Sequence, residues 1–238
     1  MTEVDLDEYL FRPAPVVGLP IRGLPERFPV HRIFCVGRNY AEHAREMGHD
    51  PDREPPFFFT KPPEAVVPAG APLPYPAATR DLHHEVELVV ALAGGGRNLT
   101  TDNALELVYG YAVGVDLTRR DLQAEAKKLG RPWDSAKAFA GSAPCSDIVP
   151  VARIGHPAKG RIALSVDGDL RQDGDLAQMI WKTPEILAEL SKLWDLRAGD
   201  LIFTGTPAGV GPLQVGNRIT CEIEGIGRLE TAVTDLRG

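Results

Sequence analysis

Cysteine is scarce in this chain of 238 residues: Cys35, Cys145 and Cys221 are the whole supply, and they lie far apart. No Cys-x-x-Cys pair exists, which argues against a structural zinc site. An odd, scattered set suits small core residues in a reducing compartment better than a disulfide framework. There is no block of Lys and Arg, and the net charge is −7, so the electrostatic footprint of a nucleic-acid binder is missing. No apolar run approaches the roughly 20 residues that span a bilayer. The first ten residues are acidic rather than basic-then-apolar, unlike a secretory leader. A soluble, cytoplasmic protein with neither nucleic-acid nor membrane partners is expected. Gly94-Gly95-Gly96 is not followed by Gly-Lys-Ser/Thr and reads as a turn, not a phosphate cradle.

What is present begins with size. At 43% hydrophobic residues the chain can bury one substantial core. Residues 1–29 hold five prolines (Pro13, Pro15, Pro20, Pro25, Pro29) and no sustained period. They read as an arm or short strands lying on a single catalytic domain over 30–238. Within that domain His83 to Leu92 reads as a buried strand that nevertheless carries two carboxylates. Side chains alternate along a strand, so Glu85 and Glu87 share one face while Val86, Leu88 and Val90 take the other. Two carboxylates roughly 7 Å apart each oppose ionisation of the other. Burying both unpaired is untenable, and a hard divalent cation would resolve the conflict. An amphipathic strand whose Glu residues face water is the alternative.

Around this strand lie other chemistry-bearing residues. Ile33 to Gly37 reads as a buried strand, followed by a short helix from Asn39, its N-cap, to a stop at Gly48. His43 and Glu46 share a face of that helix, a spacing that fits either an oriented general base or a solvated surface. Phe57-Phe58-Phe59, flanked by prolines, predicts a strand covered on both faces, with Lys61 at its end as a pocket cation or a surface Lys. A helix fits Thr101–Leu107 and a strand Val108–Val115. Asp116, at that strand's end, is either a third ligand or the N-cap of a helix over Leu122–Leu129. Lys137 follows a turn at Gly130-Arg131-Pro132. A hairpin is predicted at Ile162–Gln172, a helix from Thr183 as N-cap to Leu193, and three more strands after residue 200. Between them, Gly205 to Pro212 is a glycine-rich loop of the kind that lets backbone N–H groups approach a ligand.

Taken together, Val36-Gly37-Arg38-Asn39-Tyr40 with His43 and Glu46, His83-His84-Glu85-Val86-Glu87-Leu88, Gly114 to Asp121, Lys137 and Thr204 to Gly211 resemble the fumarylacetoacetate hydrolase family in order and spacing over about residues 30–235. The run Asp52 to Pro62, with Arg119 to Gln123, is similar to the family's small acylpyruvate hydrolases. The resemblance implies an α+β, β-rich fold, a mixed β-roll with a few flanking helices, and a homodimer. It implies one Mg²⁺ or Mn²⁺ per chain on Glu85, Glu87 and Asp116, and a lid over about 39–50. It implies that His43, oriented by Glu46, activates water and that Lys137 stabilises the oxyanion, with Arg120, Gln123, Lys61 and Thr206 as substrate contacts. The implied substrate is a 2,4-diketo acid, fumarylpyruvate in particular, cleaved at its C–C bond in gentisate-type aromatic catabolism. Oxaloacetate decarboxylation and dienoate isomerisation or hydration run on the same platform and are the family's alternatives. A non-catalytic carboxylate- or Ca²⁺-binding β module would leave His43, Glu46 and Lys137 without a shared purpose.

Overall fold

Val- and Ile-rich runs punctuated by glycine and proline favour strands over helices, and strands carry this fold. The computed structural model describes residues 9–46 and 54–235, the side chains of 44–46 excepted. Its largest sheet has eight strands. Across the middle lie Arg32–Gly37, Asp200–Phe203, Val86–Leu92 and Val108–Val115, with Phe57–Lys61 at one edge and Val66–Pro68 at the other. The Val86–Leu92 strand pairs antiparallel on both sides, with Val90 opposite Ile202 and Glu87 opposite Gly114. A second sheet of five strands is built from Asp169–Asp175, Arg161–Val166, Arg218–Ile223, Gly227–Thr234 and Leu73–Pro74. Two short strands, Gly18–Pro20 and Arg27–Pro29, form a hairpin from the proline-rich N-terminal stretch. This is the β-rich roll with a few flanking helices that the family resemblance implies, five of them among the described residues.

The core follows from strand alternation. Val86, Leu88, Val90 and Leu92 face a cluster shared with Ile162, Leu164 and Ile219 of the five-stranded sheet. Val89 and Ala91, on the opposite face, pack with Cys35, Phe203 and the hairpin's Leu19 and Phe28. Both faces of the central strand are therefore covered, and Glu85 and Glu87 lie on the second face, buried. Each fully buried Val or Leu contributes roughly 1.5–3 kcal/mol. Several in a row outweigh the penalty of several kcal/mol that a buried ion carries, so the strand holds its acids in place.

Several expectations are met and several are corrected. The hairpin turns at Asp167 (φ 53°) and Gly168 (φ 90°), both left-handed, which is the two-residue turn that matches strand twist. The helix after Asp116 spans Arg120–Leu129 with Arg119 at its N-cap, so Asp116 does not cap it. Lys182, not Thr183, caps the Thr183–Leu193 helix, because Glu185 reaches back to the Lys182 N–H. The stretch from Thr101 closes only one 3₁₀ turn, Ala104–Leu107. The triple-Phe strand is an edge strand, its rings half-buried rather than covered on both faces. Asn39 is fully buried and bridges the Trp181 and Thr204 backbones instead of closing the helix at Ala41–Glu46. The predicted stop at Gly48 lies outside the described residues. Among the described residues no helix is long and apolar enough to cross a membrane.

Candidate active site and metal centre

A break in the chain between the strands Leu82–His84 and Val86–Leu92 falls at Glu85. There its carbonyl oxygen accepts the Asp116 N–H at 2.8 Å. That bond clamps two acidic residues from neighbouring strands side by side, and Glu87 joins them two residues on, from the same face. One oxygen from each of Glu85, Glu87 and Asp116 lies within 4.8 Å of the others, and all three residues are buried. Glu87 is further fixed by the Gly205 N–H, which donates to its Oε2 at 2.7 Å. Gly205 has φ 97°, and a Cβ there would stand 2.6 Å from that of Asn39, so only glycine serves. The glycine-rich loop thus approaches a carboxylate of the site.

Three cations are set against the three acids. Lys137 Nζ lies 2.8 Å from Glu85 Oε2 and 2.6 Å from Asp116 Oδ2, and Arg120 reaches Glu85 Oε1 at 2.5 Å. Lys61 Nζ lies 2.8 Å from Asp116 Oδ1, off the direction of a hydrogen bond, so the contact is one of charge. Lys61 also donates to the carbonyls of Leu117 (3.2 Å) and Lys137 (2.5 Å). Of the two readings of Lys61, burial removes the surface one: Lys61 is almost fully buried behind Asp116, and it is not among the residues that line the pocket. Ser142 Oγ donates to the same Lys137 carbonyl at 2.9 Å, so two bonds hold the residue at the end of its Asp134–Lys137 turn of helix.

The electrostatics divide the carboxylates. Burial opposes ionisation of Glu85, but Lys137 and Arg120 outweigh it and hold the carboxyl well below the usual range. Glu87 goes the other way: burial, then Asp116 and Glu85, push it well above. Burial disfavours the Lys137 ammonium, yet Asp116 and Glu85 raise its pKa, so it stays charged. Glu87 is thus a buried acid short of positive charge beside two acids already matched. A carboxylate oxygen has a second lone pair, so oxygens that touch Lys137 can still coordinate. An all-oxygen donor set in which, among the described residues, Glu87 has no ion pair fits a hard divalent ion such as Mg²⁺ or Mn²⁺.

These groups open on one narrow pocket of about 30 Å³, which His43, Arg120, Gln123, Lys137 and Thr206 also line. His43 is buried and close enough to Glu85 to favour its ionised form. The Glu46 side chain lies outside the described residues, as does the expected lid from 47 to 50. Gln123 Oε1 accepts from Arg120 at 2.6 Å, and Thr206 Oγ1 accepts from Gln172 Nε2 at 2.8 Å. The structure also supplies residues that sequence reasoning missed. Gln172 is buried, accepts the Val86 N–H at 3.0 Å and contacts His84, tying the carboxylate strand to the glycine-rich loop. Arg38, Lys127, Phe57 and Trp133 also line the pocket. No local signal marks Gln172, Lys127 or Trp133, since a lone Gln or Lys on an exposed-looking segment is ordinary; Arg38 and Phe57 lie in stretches that carry the family resemblance, which gave them no role.

Comparison with known proteins decides the lineage. Residues 32–234 match the family described as fumarylacetoacetate (FAA) hydrolase C-terminal. The chain belongs to the fumarylacetoacetate hydrolase family. Among solved structures it is similar to the fumarylpyruvate hydrolase of Pseudomonas aeruginosa, crystallised with Mn²⁺ and pyruvate. That likeness has TM-score 0.93 and 50% identity, and covers 95% of this chain and 99% of the other. Among curated proteins it is 43% identical over 199 residues to the oxaloacetate tautomerase YcgM of Escherichia coli, covering 83% of this chain and 90% of the relative. The human mitochondrial oxaloacetate tautomerase FAHD1 is 45% identical over 194 residues, covering 82% and 87%. The family, the fold and a divalent-cation site of carboxylates agree.

Proposed function

We propose that this member of the fumarylacetoacetate hydrolase family hydrolyses the C–C bond of acylpyruvates, with one Mg²⁺ or Mn²⁺ held by Glu85, Glu87 and Asp116 and fumarylpyruvate as its substrate. The observation that carries this reading is a buried histidine, His43, facing the three carboxylates and Lys137 in the same pocket. When bound, the cation supplies a Lewis acid that withdraws electrons from the pyruvyl half. His43, oriented by Glu46, takes a proton from water whose oxygen adds to the carbonyl at C4. Lys137, kept charged by its acidic neighbours, donates to the oxyanion that forms there, a contribution of about 3 kcal/mol in comparable sites. The C3–C4 bond then breaks with its electron pair leaving on the pyruvyl half as an enolate. The proton held by His43 passes to C3, giving pyruvate and the free carboxylate. Arg120, which donates to Gln123, orients the substrate in this reading, with Thr206 lining the same pocket.

A second reading is favoured by the curated relatives: tautomerisation of oxaloacetate, which needs a proton moved at carbon but no water added. Turnover of fumarylpyruvate, acetylpyruvate and oxaloacetate, each with and without Mg²⁺, separates the two. Metal-dependent release of pyruvate from the acylpyruvates is the expected result. Ketonisation of enol-oxaloacetate without any pyruvate release would overturn the hydrolase reading. His43→Ala should remove hydrolysis while metal affinity, read by calorimetry, stays within a few-fold; loss of both together would take the base role from His43.

A further inference from the structure

The charge around the pocket does not balance once the three acids are matched. Lys61, Arg120 and Lys137 answer Glu85 and Asp116 directly, and a divalent ion answers Glu87. Two more cations line the same pocket: Arg38 and Lys127. Among the described residues neither forms an ion pair. Each rests instead on an aromatic ring, Arg38 5.3 Å from the centre of Phe57 and Lys127 5.2 Å from the centre of Trp133. Phe57 and Trp133 meet edge to face, centroids 5.3 Å apart, so the two rings form one wall with a cation on each. Arg38 is left-handed, φ 57°, a conformation that non-glycine residues rarely adopt without a reason in their surroundings. It follows Gly37, where a Cβ would fall 1.9 Å from the Phe57 ring, so the chain is packed against that wall as closely as it can be.

The geometry points to Arg38 and Lys127 as the pair that receives a second carboxylate, at the far end of the substrate's acyl chain. This rests on the acylpyruvate reading and deepens it: the preferred substrate is a dicarboxylate with a flat, unsaturated acyl arm rather than a short neutral one. A planar arm suits a wall of two aromatic faces, and a guanidinium with an ammonium beside it suits a terminal carboxylate. The strongest influences on Lys127 agree. Burial first, and then Arg120, Arg38 and Lys137, pull its pKa down to about 8, and Glu85, which opposes them, is already paired. An arriving carboxylate relieves that repulsion.

The experiment compares the Mg²⁺-loaded wild type, R38Q, K127Q and R38K on fumarylpyruvate and acetylpyruvate, which share the pyruvyl half and differ in the distal carboxylate. The ratio of kcat/KM for the two substrates should fall at least tenfold in R38Q and in K127Q, chiefly through KM, while R38K keeps most of it. A ratio unchanged within twofold, or a wild type that prefers acetylpyruvate, overturns the assignment. If the wild type cleaves neither substrate, the hydrolase reading fails by itself, and the subsite is then judged on binding. Calorimetry with fumarate and with crotonate, which lacks one carboxylate, should show tighter binding of fumarate that is lost in K127Q. Equal binding of the two by the wild type overturns it.

Discussion

Lys61 is the residue whose reading changed most between sequence and structure, and replacing it tests the change. In Lys61→Met the four-carbon stem is roughly conserved and the ammonium is removed. Asp116 then loses one of its two cations, and the carbonyls of Leu117 and Lys137 lose a donor. Because both charged side chains are almost entirely out of water, removing one partner leaves the other uncompensated. Breaking a buried pair in this way costs about 3–5 kcal/mol. For a chain of this size each kcal/mol shifts the melting temperature by about 2–4 °C, so a fall of about 6–20 °C is expected. Lys137 also loses one of the two bonds that position its carbonyl, so kcat should fall. KM should change little, since Lys61 does not line the pocket. Calorimetric or optical melting of the metal-loaded protein, with steady-state kinetics on the surviving fraction, reads both. A variant as stable as wild type but with KM raised tenfold would refute the reasoning and return Lys61 to the substrate.

Two further predictions concern charge. Glu87→Gln keeps an acceptor for the Gly205 N–H but removes one anion from the triad; Mn²⁺ affinity by calorimetry should drop on the order of tenfold to a hundredfold, and an unchanged affinity would move the metal elsewhere. Lys127, with its pKa near 8, should make fumarylpyruvate binding depend on pH. The dianion prefers the protonated ammonium, so KM is lowest below about 8 and rises as the proton is lost above it, an effect that K127Q should flatten; a wild-type KM constant from pH 7 to 9.5 would count against it.

How much of this was legible in the residues depends on whether a signal was local. Glu85 and Glu87 could be placed on one face because strand alternation is strict and Val86, Leu88 and Val90 take the other; whether their face is covered was decided only by the packing around it. The hairpin at Asp167-Gly168 was legible for the same kind of reason, a two-residue turn between alternating runs. Asp116 was legible only as one of two options, because a carboxylate ahead of a helix is an equally good cap; the register that brings its N–H to the Glu85 carbonyl decides it. Lys61 was legible only as a pocket cation or a surface residue, since nothing in Phe-Thr-Lys-Pro says that the strand's end is buried against a neighbouring element's acid. Gln172 and Lys127 were not legible at all: their roles arise from contacts 34 and 88 residues away in the one case, and from a shared positive field in the other.

That division has a physical cause which also bears on function. Glu87 is written into the regular central strand, and Glu85 and Asp116 flank the ends of well-packed strands, so packing energy fixes all three before any ligand arrives. The cations sit at a strand end, on short helices and at a left-handed turn; Lys61 and Lys137 are buried with the acids, while Arg38 and Lys127 stand outside the buried ion pairs. A protein with net charge −7 thereby keeps Arg120, Lys137, Arg38 and Lys127 lining one pocket, with Lys61 behind Asp116, a local set of cations opposite in sign to the whole. The carboxylate platform is the element suited to being shared by relatives that hydrolyse and relatives that tautomerise. The peripheral cations are the element suited to separating their substrates, which is why Arg38 and Lys127, rather than Glu85, Glu87 or Asp116, are where a change of specificity should be sought.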